Sequence, residues 1–211
     1  MVAEQLDTLI ARYVAGDLPA PVRVLMASHL AMKPQSRAVS ETLESLAGAE
    51  LSRLEGVALE KREETLTRIF SSHPPTPIER KREDKKTVFP APLVEFLGFD
   101  LADVPWKTRL PGYKIHDMGI IDGVGVNIFQ FRPGRAAPSH THQGMELSLV
   151  LSGGFTDAFG HYLPGDISVA DPDIDHRPQA DPGEPCIGFQ VIEGPLKLTG
   201  TLVQRFRDLI G

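Results

Sequence analysis

Residues 1–72 carry their apolar side chains at the spacing of α-helices. In residues 3–15 these positions recur three and four apart and form one stripe along a predicted helix: Leu6, Leu9, Ile10, Tyr13 and Val14. Pro19 permits a second helix to begin, because a first helical turn does not need its N–H groups. Similar stripes after Pro34 and after Gly56 predict a third and a fourth helix. Such a small bundle has little core of its own, and modules of this size often need a metal or a partner.

The pattern changes between residues 73 and 92. Prolines at both ends bracket a mixed run of acidic and basic residues at 79–86. A stretch of this composition cannot bury apolar area, so we predict a solvated linker over 73–92 with semi-rigid ends. The predicted domains are therefore a helical domain over 1–72 and a second domain over 93–211.

Short alternating segments separated by glycine and proline follow from residue 93 onward. Along residues 146–151 leucine alternates with glutamate, serine and valine, which is typical of a strand with two different faces. Segments of this kind recur along the chain with Gly/Pro turns between them, and they predict a closed all-β barrel or jelly roll. The predicted fold class is multidomain, with a small N-terminal helical bundle followed by a C-terminal jelly-roll barrel of the double-stranded β-helix type.

Composition excludes several classes of function. The net charge of −6 does not favour direct nucleic-acid binding, for which a basic face is expected. The first residues lack the pattern of a secretion signal, and no run reaches the roughly 18 apolar residues that a membrane-spanning helix needs. Cys186 is the single cysteine, which excludes a disulfide within the chain. We therefore expect a cytoplasmic protein with no membrane partner and no direct contact with nucleic acid.

The candidate chemistry lies in residues 138–146 and at His176. His140 and His142 project from the same face of an extended strand, and Glu146 has the same parity. Three imidazoles and one carboxylate that converge inside a barrel make a good site for one divalent transition metal. Zinc, the metal we expect, would form a closed structural or sensing site with these four ligands. Iron, manganese and nickel are alternatives, and iron or manganese would keep positions open to water, substrate or oxygen.

These residues resemble the two motifs of the cupin family. The first motif corresponds to Gly134, His140, His142, Glu146 and Gly153, and the second to Gly160, Pro164-Gly165-Asp166 and His176. Residues 9–38 and 140–176 together resemble the ChrR-type cupin anti-sigma factors, and the resemblance covers nearly the whole chain. It implies that the barrel is a metal-binding cupin domain and that the partner is an alternative sigma factor of the ECF type.

The same resemblance implies a zinc motif in the helical domain, which this chain has lost. In the family an early histidine and an HxxxCxxC motif hold zinc, and the corresponding positions here are Glu4, His29, Lys33 and Ser36. A lysine ammonium opposes a cation and serine is a poor zinc ligand, so we predict no zinc in the helical domain. His29 is then expected to be a partly buried histidine on an apolar helix face.

Two more residues are candidates for roles beside the metal. Cys186 is predicted to be a small buried hydrophobe or, as the resemblance hints, a redox-sensitive thiol near the metal. Asp175 is predicted to accept a hydrogen bond from an imidazole or to be a solvated turn carboxylate.

Two functions fit these features. The first, by resemblance, is transcription regulation: the helical domain binds the sigma factor, and the cupin domain senses a stress signal such as reactive oxygen and weakens that grip. The alternative is a metal-dependent cupin enzyme, a dioxygenase or isomerase acting on a small molecule, in which the helices cap or dimerise the chain. We favour the first, name no catalytic residue and leave a homodimer open.

Overall fold

The computed structural model describes residues 2–58, 60–72 and 87–201, without the side chains of residues 2–4. Most of the predicted linker, residues 73–86, lies outside the described residues. The last six residues of that linker are described, and the final two of them, residues 91–92, already belong to a short helix.

Backbone contacts divide the chain into two compact units. One unit contains the residues up to Leu43 together with those from Thr87 onward, and the other begins at Glu44. The first unit therefore combines the beginning of the helical region with the whole described β-region. The predicted boundaries at residues 72 and 92 stay a prediction about how the chain divides into domains.

Helices occupy the predicted N-terminal region, and the four predicted helices are all present. The helices of the described chain are α1 (Val2–Ala15), α2 (Ala20–Met32), α3 (Pro34–Leu51), α4 (Arg62–Ser71) and α5 (Ala91–Leu97). Proline stands in the first turn of α2 and of α5, where its fixed φ favours the start of a helix. Within the described residues, none of these helices combines the length and apolar character needed to cross a bilayer.

Strands fill the chain from residue 107 onward. In order they are β1 (Lys107–Leu110), β2 (Tyr113–Ile121), β3 (Val124–Phe131), β4 (His140–His142), β5 (Glu146–Ser152), β6 (Phe155–Thr156), β7 (His161–Tyr162), β8 (Ile167–Ala170), β9 (Gln179–Ala180), β10 (Cys186–Ile192) and β11 (Leu196–Leu198). A six-stranded antiparallel sheet has the order β1-β2-β3-β10-β5-β8. Two smaller sheets, β11-β4 and β7-β6-β9, complete the fold. Helices followed by a double-stranded β-helix confirm the predicted fold class.

Strand β5 has two different faces, as its alternation predicts. Its leucines at 147, 149 and 151 lie in the large core that also contains residues of α1, α2 and α5. On the other face Val150 joins a smaller core with Phe155 of β6, and Glu146 and Ser148 line a cavity inside the barrel. Every residue from Glu146 to Leu151 is buried, because both faces are covered. The sheet thus separates the apolar core shared with α1, α2 and α5 from the polar side chains inside the barrel.

The first two helices complete their core on the large sheet. Helix α2 packs against α5, β5 and β10, and α1 packs against α2 and β8. Leu25 and Met26 of α2 are fully buried in the same cluster as Leu149 and Phe189 of the sheet. The helices alone were expected to have only a small core. Within this one unit, the barrel extends that core.

Leu25→Ala is expected to destabilise the barrel together with the helices, because Leu25 is buried in the core that both share. We expect the free energy of unfolding to fall by about 2–5 kcal/mol. The measurement is chemical denaturation followed by the fluorescence of Trp106, the only tryptophan, which packs against the same core.

Leu46→Ala is the matched control, because Leu46 on α3 is 61% exposed. Its free energy of unfolding should change by no more than about 0.5 kcal/mol. A Trp106 transition that stays in place in Leu25→Ala would show that helices and barrel unfold independently.

Candidate metal centre

Two short strands and one bridge bring the predicted ligands together. Strand β4 places His140 and His142 on one side, because side chains alternate along a strand. His176 lies opposite His140 in an antiparallel bridge, whose two N–H···O bonds are both 3.0 Å long. Glu146 begins β5, and three residues separate it from the end of β4. All four side chains are buried, and one ligand atom from each lies within 4.8 Å of the others.

The ring nitrogens face one another at short distances. Nε2 of His176 lies 3.2 Å from Nε2 of His140 and 3.2 Å from Nε2 of His142. Glu146 completes the group, with Oε1 3.9 Å from His176 Nε2 and Oε2 3.4 Å from His142 Nδ1. Ligand nitrogens bound to zinc at about 2.0–2.1 Å, at angles from right-angled to tetrahedral, are separated by about 2.9–3.4 Å. The observed spacing falls within that range.

The outer hydrogen bonds fix which ring nitrogens carry a proton. Nδ1 of His140 donates to the carbonyl oxygen of Pro138 at 2.7 Å, and Nδ1 of His176 donates to Oδ2 of Asp157 at 3.0 Å. In a neutral imidazole the other nitrogen then carries a lone pair. The two Nε2 lone pairs therefore face each other across 3.2 Å. Such an arrangement is repulsive unless a cation lies between the two nitrogens.

Burial shifts the pKa values of His140, His142 and Glu146. Removal from water, followed by the neighbouring histidines, lowers the pKa of His140 to about 4 and that of His142 to about 4. Both rings are therefore neutral near pH 7, the form that binds metals. Burial also raises the pKa of Glu146 to about 7, although the charge of His176 and hydrogen bonds from Gln190 and Ser148 act to lower it. A divalent ion would stabilise the carboxylate form, so this buried group could hold a metal ion.

Asp157 orients His176, and the sequence analysis did not identify it. Although burial alone would raise the pKa of Asp157, hydrogen bonds from His176 and from the N–H groups of Phe159 and Gly160 lower it. A carboxylate on the outer nitrogen of a ligating histidine fixes its tautomer and its orientation. The turn sequence after Thr156 is the local indication of an Asp that accepts nearby N–H groups.

Asp175 has a different partner from the one considered in the sequence analysis. It is exposed, and its Oδ1 accepts a hydrogen bond from Thr199 Oγ1 at 2.7 Å. Neighbouring residues of an extended chain project to opposite sides, so an inward His176 directs Asp175 outward. Of the two predicted roles, the exposed position of Asp175 matches the solvated turn carboxylate, and the acceptor for His176 Nδ1 is Asp157.

A chain of two hydrogen bonds that begins at Gln190 on β10 positions the carboxylate of Glu146. Ser148 Oγ donates to Glu146 Oε1 at 3.4 Å, and Gln190 Nε2 donates to Ser148 Oγ at 3.2 Å. Gln190 and Ser148 are cross-strand partners in the sheet, so the register of β10 and β5 builds this chain of contacts. The two hydrogen bonds leave Glu146 Oε2 directed at His142.

Cys186 begins β10 and is fully buried in the smaller core. Burial, followed by the charge of Asp181, raises the pKa of its thiol to about 12. The reactive form of cysteine is the thiolate, which is scarce at neutral pH for such a group. Of the two predicted roles, these properties match the small buried hydrophobe, and the redox role stays a prediction.

The positions of the lost zinc motif connect α2 to the barrel. His29 is buried, and its Nδ1 donates to the carbonyl oxygen of Gly165 at 2.7 Å. Nζ of Lys33 lies 2.7 Å from Oδ1 of Asp166. Gly165 has a φ of +89°, and a Cβ added there would lie 2.7 Å from Lys33 Cε, so the turn and the helix end approach closely. We call these two contacts the α2–turn contact.

The remaining positions of that motif take no part in the α2–turn contact. Ser36 is half-buried on α3, and the side chain of Glu4 lies outside the described residues. The prediction that the helical domain holds no zinc stays a prediction.

The chain is similar to an anti-sigma factor over almost its whole length. The ChrR cupin-like domain family matches residues 95–196. The anti-sigma-E factor ChrR of Cereibacter sphaeroides is 30% identical over 199 residues, which cover 93% of this chain and 92% of that protein. The crystal structure of Rhodobacter sphaeroides SigE in complex with the anti-sigma ChrR matches with a TM-score of 0.74 and 29% identity, covering 88% of this chain and 96% of that chain.

Asp157→Asn is expected to weaken metal binding by about 10–100-fold, because it removes the carboxylate that orients His176. The measurement is a competition titration of zinc against a chromophoric chelator. Asp175→Asn is the matched control and should leave the affinity unchanged, because Asp175 contacts Thr199. Equal losses in both variants would contradict the assignment of Asp157.

Cys186 in the folded protein is expected to react with iodoacetamide at pH 8 at least about 100-fold more slowly than in the unfolded protein. The reason is its burial together with its raised pKa of about 12. Mass spectrometry of timed samples, with and without denaturant, measures both rates. Rapid labelling of the folded chain would restore the sensing role for this thiol.

Proposed function

Because the chain belongs to the ChrR family of anti-sigma factors, as its motifs predict, we propose that it binds an alternative sigma factor and restrains transcription. The partner is a sigma factor of the ECF type, and the helical residues within 1–72 bind it. The cupin barrel holds one divalent metal ion at His140, His142, Glu146 and His176. A signal acts at this site and weakens the binding of the sigma factor.

Similarity over both parts of the chain is the observation that carries the proposal. The aligned region covers 93% of the chain, so it includes helices as well as barrel. The similar solved structure contains ChrR bound to SigE, with a match over 88% of this chain. A chain that shares both parts with that regulator is expected to share its class of partner.

Exposed apolar side chains on α3, on the turn after it and on α4 support the same partner. We call this set the helical patch; its members are between 56% and 83% exposed and are Leu46, Leu51, Leu54, Ile69 and Phe70. All of them belong to the unit that begins at Glu44. Large apolar side chains exposed together mark protein-interaction surfaces. The helical patch is therefore our candidate for the sigma-factor contact.

Zinc is the metal that we propose for the barrel. Three neutral imidazoles and one carboxylate match the nitrogen and oxygen ligands that zinc prefers in fourfold coordination. Bound zinc would supply a fixed positive charge without redox chemistry of its own. The chain's own residues would do the rest: Asp157 and Pro138 hold two rings in their metal-binding tautomer, and Ser148 holds the carboxylate.

A route from the site to α2 runs through adjacent strands. Glu146 pairs with Ala170 at the end of β8. Strand β8 begins directly after Gly165 and Asp166, which form the α2–turn contact. We propose that loss of a ligand from the site loosens β5 and β8, and through this turn the end of α2. Reactive oxygen is the class of signal that we expect to act there.

We infer that the chain is a cytoplasmic regulator rather than a dioxygenase or isomerase. A chain devoted to binding a sigma factor needs no turnover at its metal site. Oxygen consumption by the iron-loaded protein with small diketones or thiols distinguishes the two functions. A substrate-dependent rate would favour the enzymatic alternative.

The double substitution Ile69→Ala and Phe70→Ala is expected to weaken sigma-factor binding by about 10-fold or more, because it removes two exposed apolar side chains of the helical patch. The measurement is calorimetric titration of the full-length protein with a purified ECF sigma factor from the same cell. In vitro transcription from the promoter of that sigma factor gives a second readout.

Ile120→Ala is the control, because Ile120 is 79% exposed but lies on β2 of the barrel. Its affinity for the sigma factor should equal that of the unsubstituted protein. Unchanged binding in the α4 variant would exclude the helical patch as the contact. No binding to any ECF sigma factor of the cell would overturn the proposed function.

A further inference from the structure

A cavity of about 120 Å³ lies inside the barrel beside the candidate metal centre. Most of its wall is apolar and much of it aromatic, including Tyr113, Phe129, Phe131, Phe155, Leu196 and Leu198. Three of the four candidate ligands, His140, Glu146 and His176, belong to the same wall. One end of the cavity is therefore polar and charged, while the remainder is suited to an apolar body.

The aromatic wall is held in place by its own packing. Tyr113 and Phe131 stack with ring centroids 4.4 Å apart, on the adjacent strands β2 and β3. Phe129 packs over Gly188 of β10, and a Cβ added at Gly188 would overlap the Phe129 ring. The shape of the cavity is thus set by a glycine and by a stacked pair, and it exists without a rearrangement of the barrel.

The charges at the polar end of the cavity favour an anionic ligand for the metal ion. A divalent ion with three neutral imidazoles and Glu146 would leave a net charge near +1 in a buried site. Asp157 carries a further negative charge beyond the His176 ring, where it accepts hydrogen bonds from His176 and from the N–H groups of Phe159 and Gly160. One further anion would neutralise the ion and its four ligands.

We propose that this cavity binds a small organic acid, with its carboxylate at the metal centre and its apolar body against the aromatic wall. The volume sets an upper limit on the size of the body, since an engineered cavity of about 150 Å³, somewhat larger than this one, accepts benzene. An acid with a body of at most about six carbon atoms is therefore the class that fits. The inference rests on the metal site of the proposed function, and it gives the sensor an effector of defined chemistry.

Strand β11 provides residues with which to test the mouth of the cavity. Leu196 and Leu198 pair in register with His142 and His140, and each is about half exposed while still lining the cavity. Lys197 lies between them and, by the alternation of a strand, points to the other face. The same short strand thus offers two test positions and a matched control.

The test uses the full-length protein loaded with cobalt, whose visible absorption reports a change in its ligands. Benzoate is the probe, and acetate is the same acid without the apolar body. We expect benzoate to change the cobalt spectrum and to bind at least about 10-fold more tightly than acetate. Benzyl alcohol, with a similar body but no acid group, should bind at least about 10-fold more weakly than benzoate.

The double variant Leu196→Ala and Leu198→Ala is expected to weaken benzoate binding by about 3–10-fold and to leave acetate unchanged. Lys197→Ala should bind both acids as the unsubstituted protein does. Ala137→Leu fills the cavity from another wall and should abolish the preference for benzoate. Cobalt stoichiometry is measured on every variant, so that a damaged metal site is recognised before the acids are compared.

Any of four results would overturn the proposal. Equal affinities for benzoate and acetate, or no spectral change with either, would exclude the cavity as an acid-binding site even if cobalt and the sigma factor bind normally. Failure of the unsubstituted protein to bind cobalt would remove this inference together with the proposed metal site. Tighter binding of benzyl alcohol than of benzoate would assign the cavity to neutral ligands.

Discussion

Repulsion between imidazole lone pairs is the constraint on which the barrel interior depends. Pro138 and Asp157 occupy the outer nitrogens of His140 and His176, so both inner nitrogens present lone pairs across 3.2 Å. The backbone bridge between these two histidines prevents the rings from moving apart without breaking hydrogen bonds. A cation would relieve the repulsion and would also compensate the buried carboxylate of Glu146. The strands therefore form an interior that could hold a positive ion.

The helices and the barrel are physically linked through two kinds of contact. Leu25 and Met26 share a core with the large sheet, which is a non-directional contact that contributes stability. His29 and Lys33 instead make directed polar contacts with a single turn. At His29 and Lys33 this chain uses a buried hydrogen bond and an ion pair to hold the end of α2. The same turn precedes β8, so one short segment lies between the helix and the strand next to Glu146.

The four side chains that the sequence singles out as candidate ligands lie together in the structure. The spacing of His140 and His142 decides their common face, and the resemblance to two separate motifs identifies Glu146 and His176. Asp157 escapes prediction because its contact with His176 requires two segments to meet in space. Asp175 is adjacent to His176 in sequence, yet the alternation of an extended chain turns it away. The docking of α2 is hidden for a related reason: an apolar stripe identifies a buried face, but it does not say what covers that face.

The burial of the one cysteine restricts how this protein could recover after a stimulus. Cys186 has no second thiol in the chain to pair with, and its sulfur is enclosed in the barrel wall. Cellular reductants such as glutathione and thioredoxin act by thiol exchange, and they have no bond to exchange within this chain. A response that began at the imidazoles would therefore be reversed by rebinding of the ion or by fresh synthesis of the protein. The timing of such a system would follow metal supply and protein turnover rather than the redox poise of the cell.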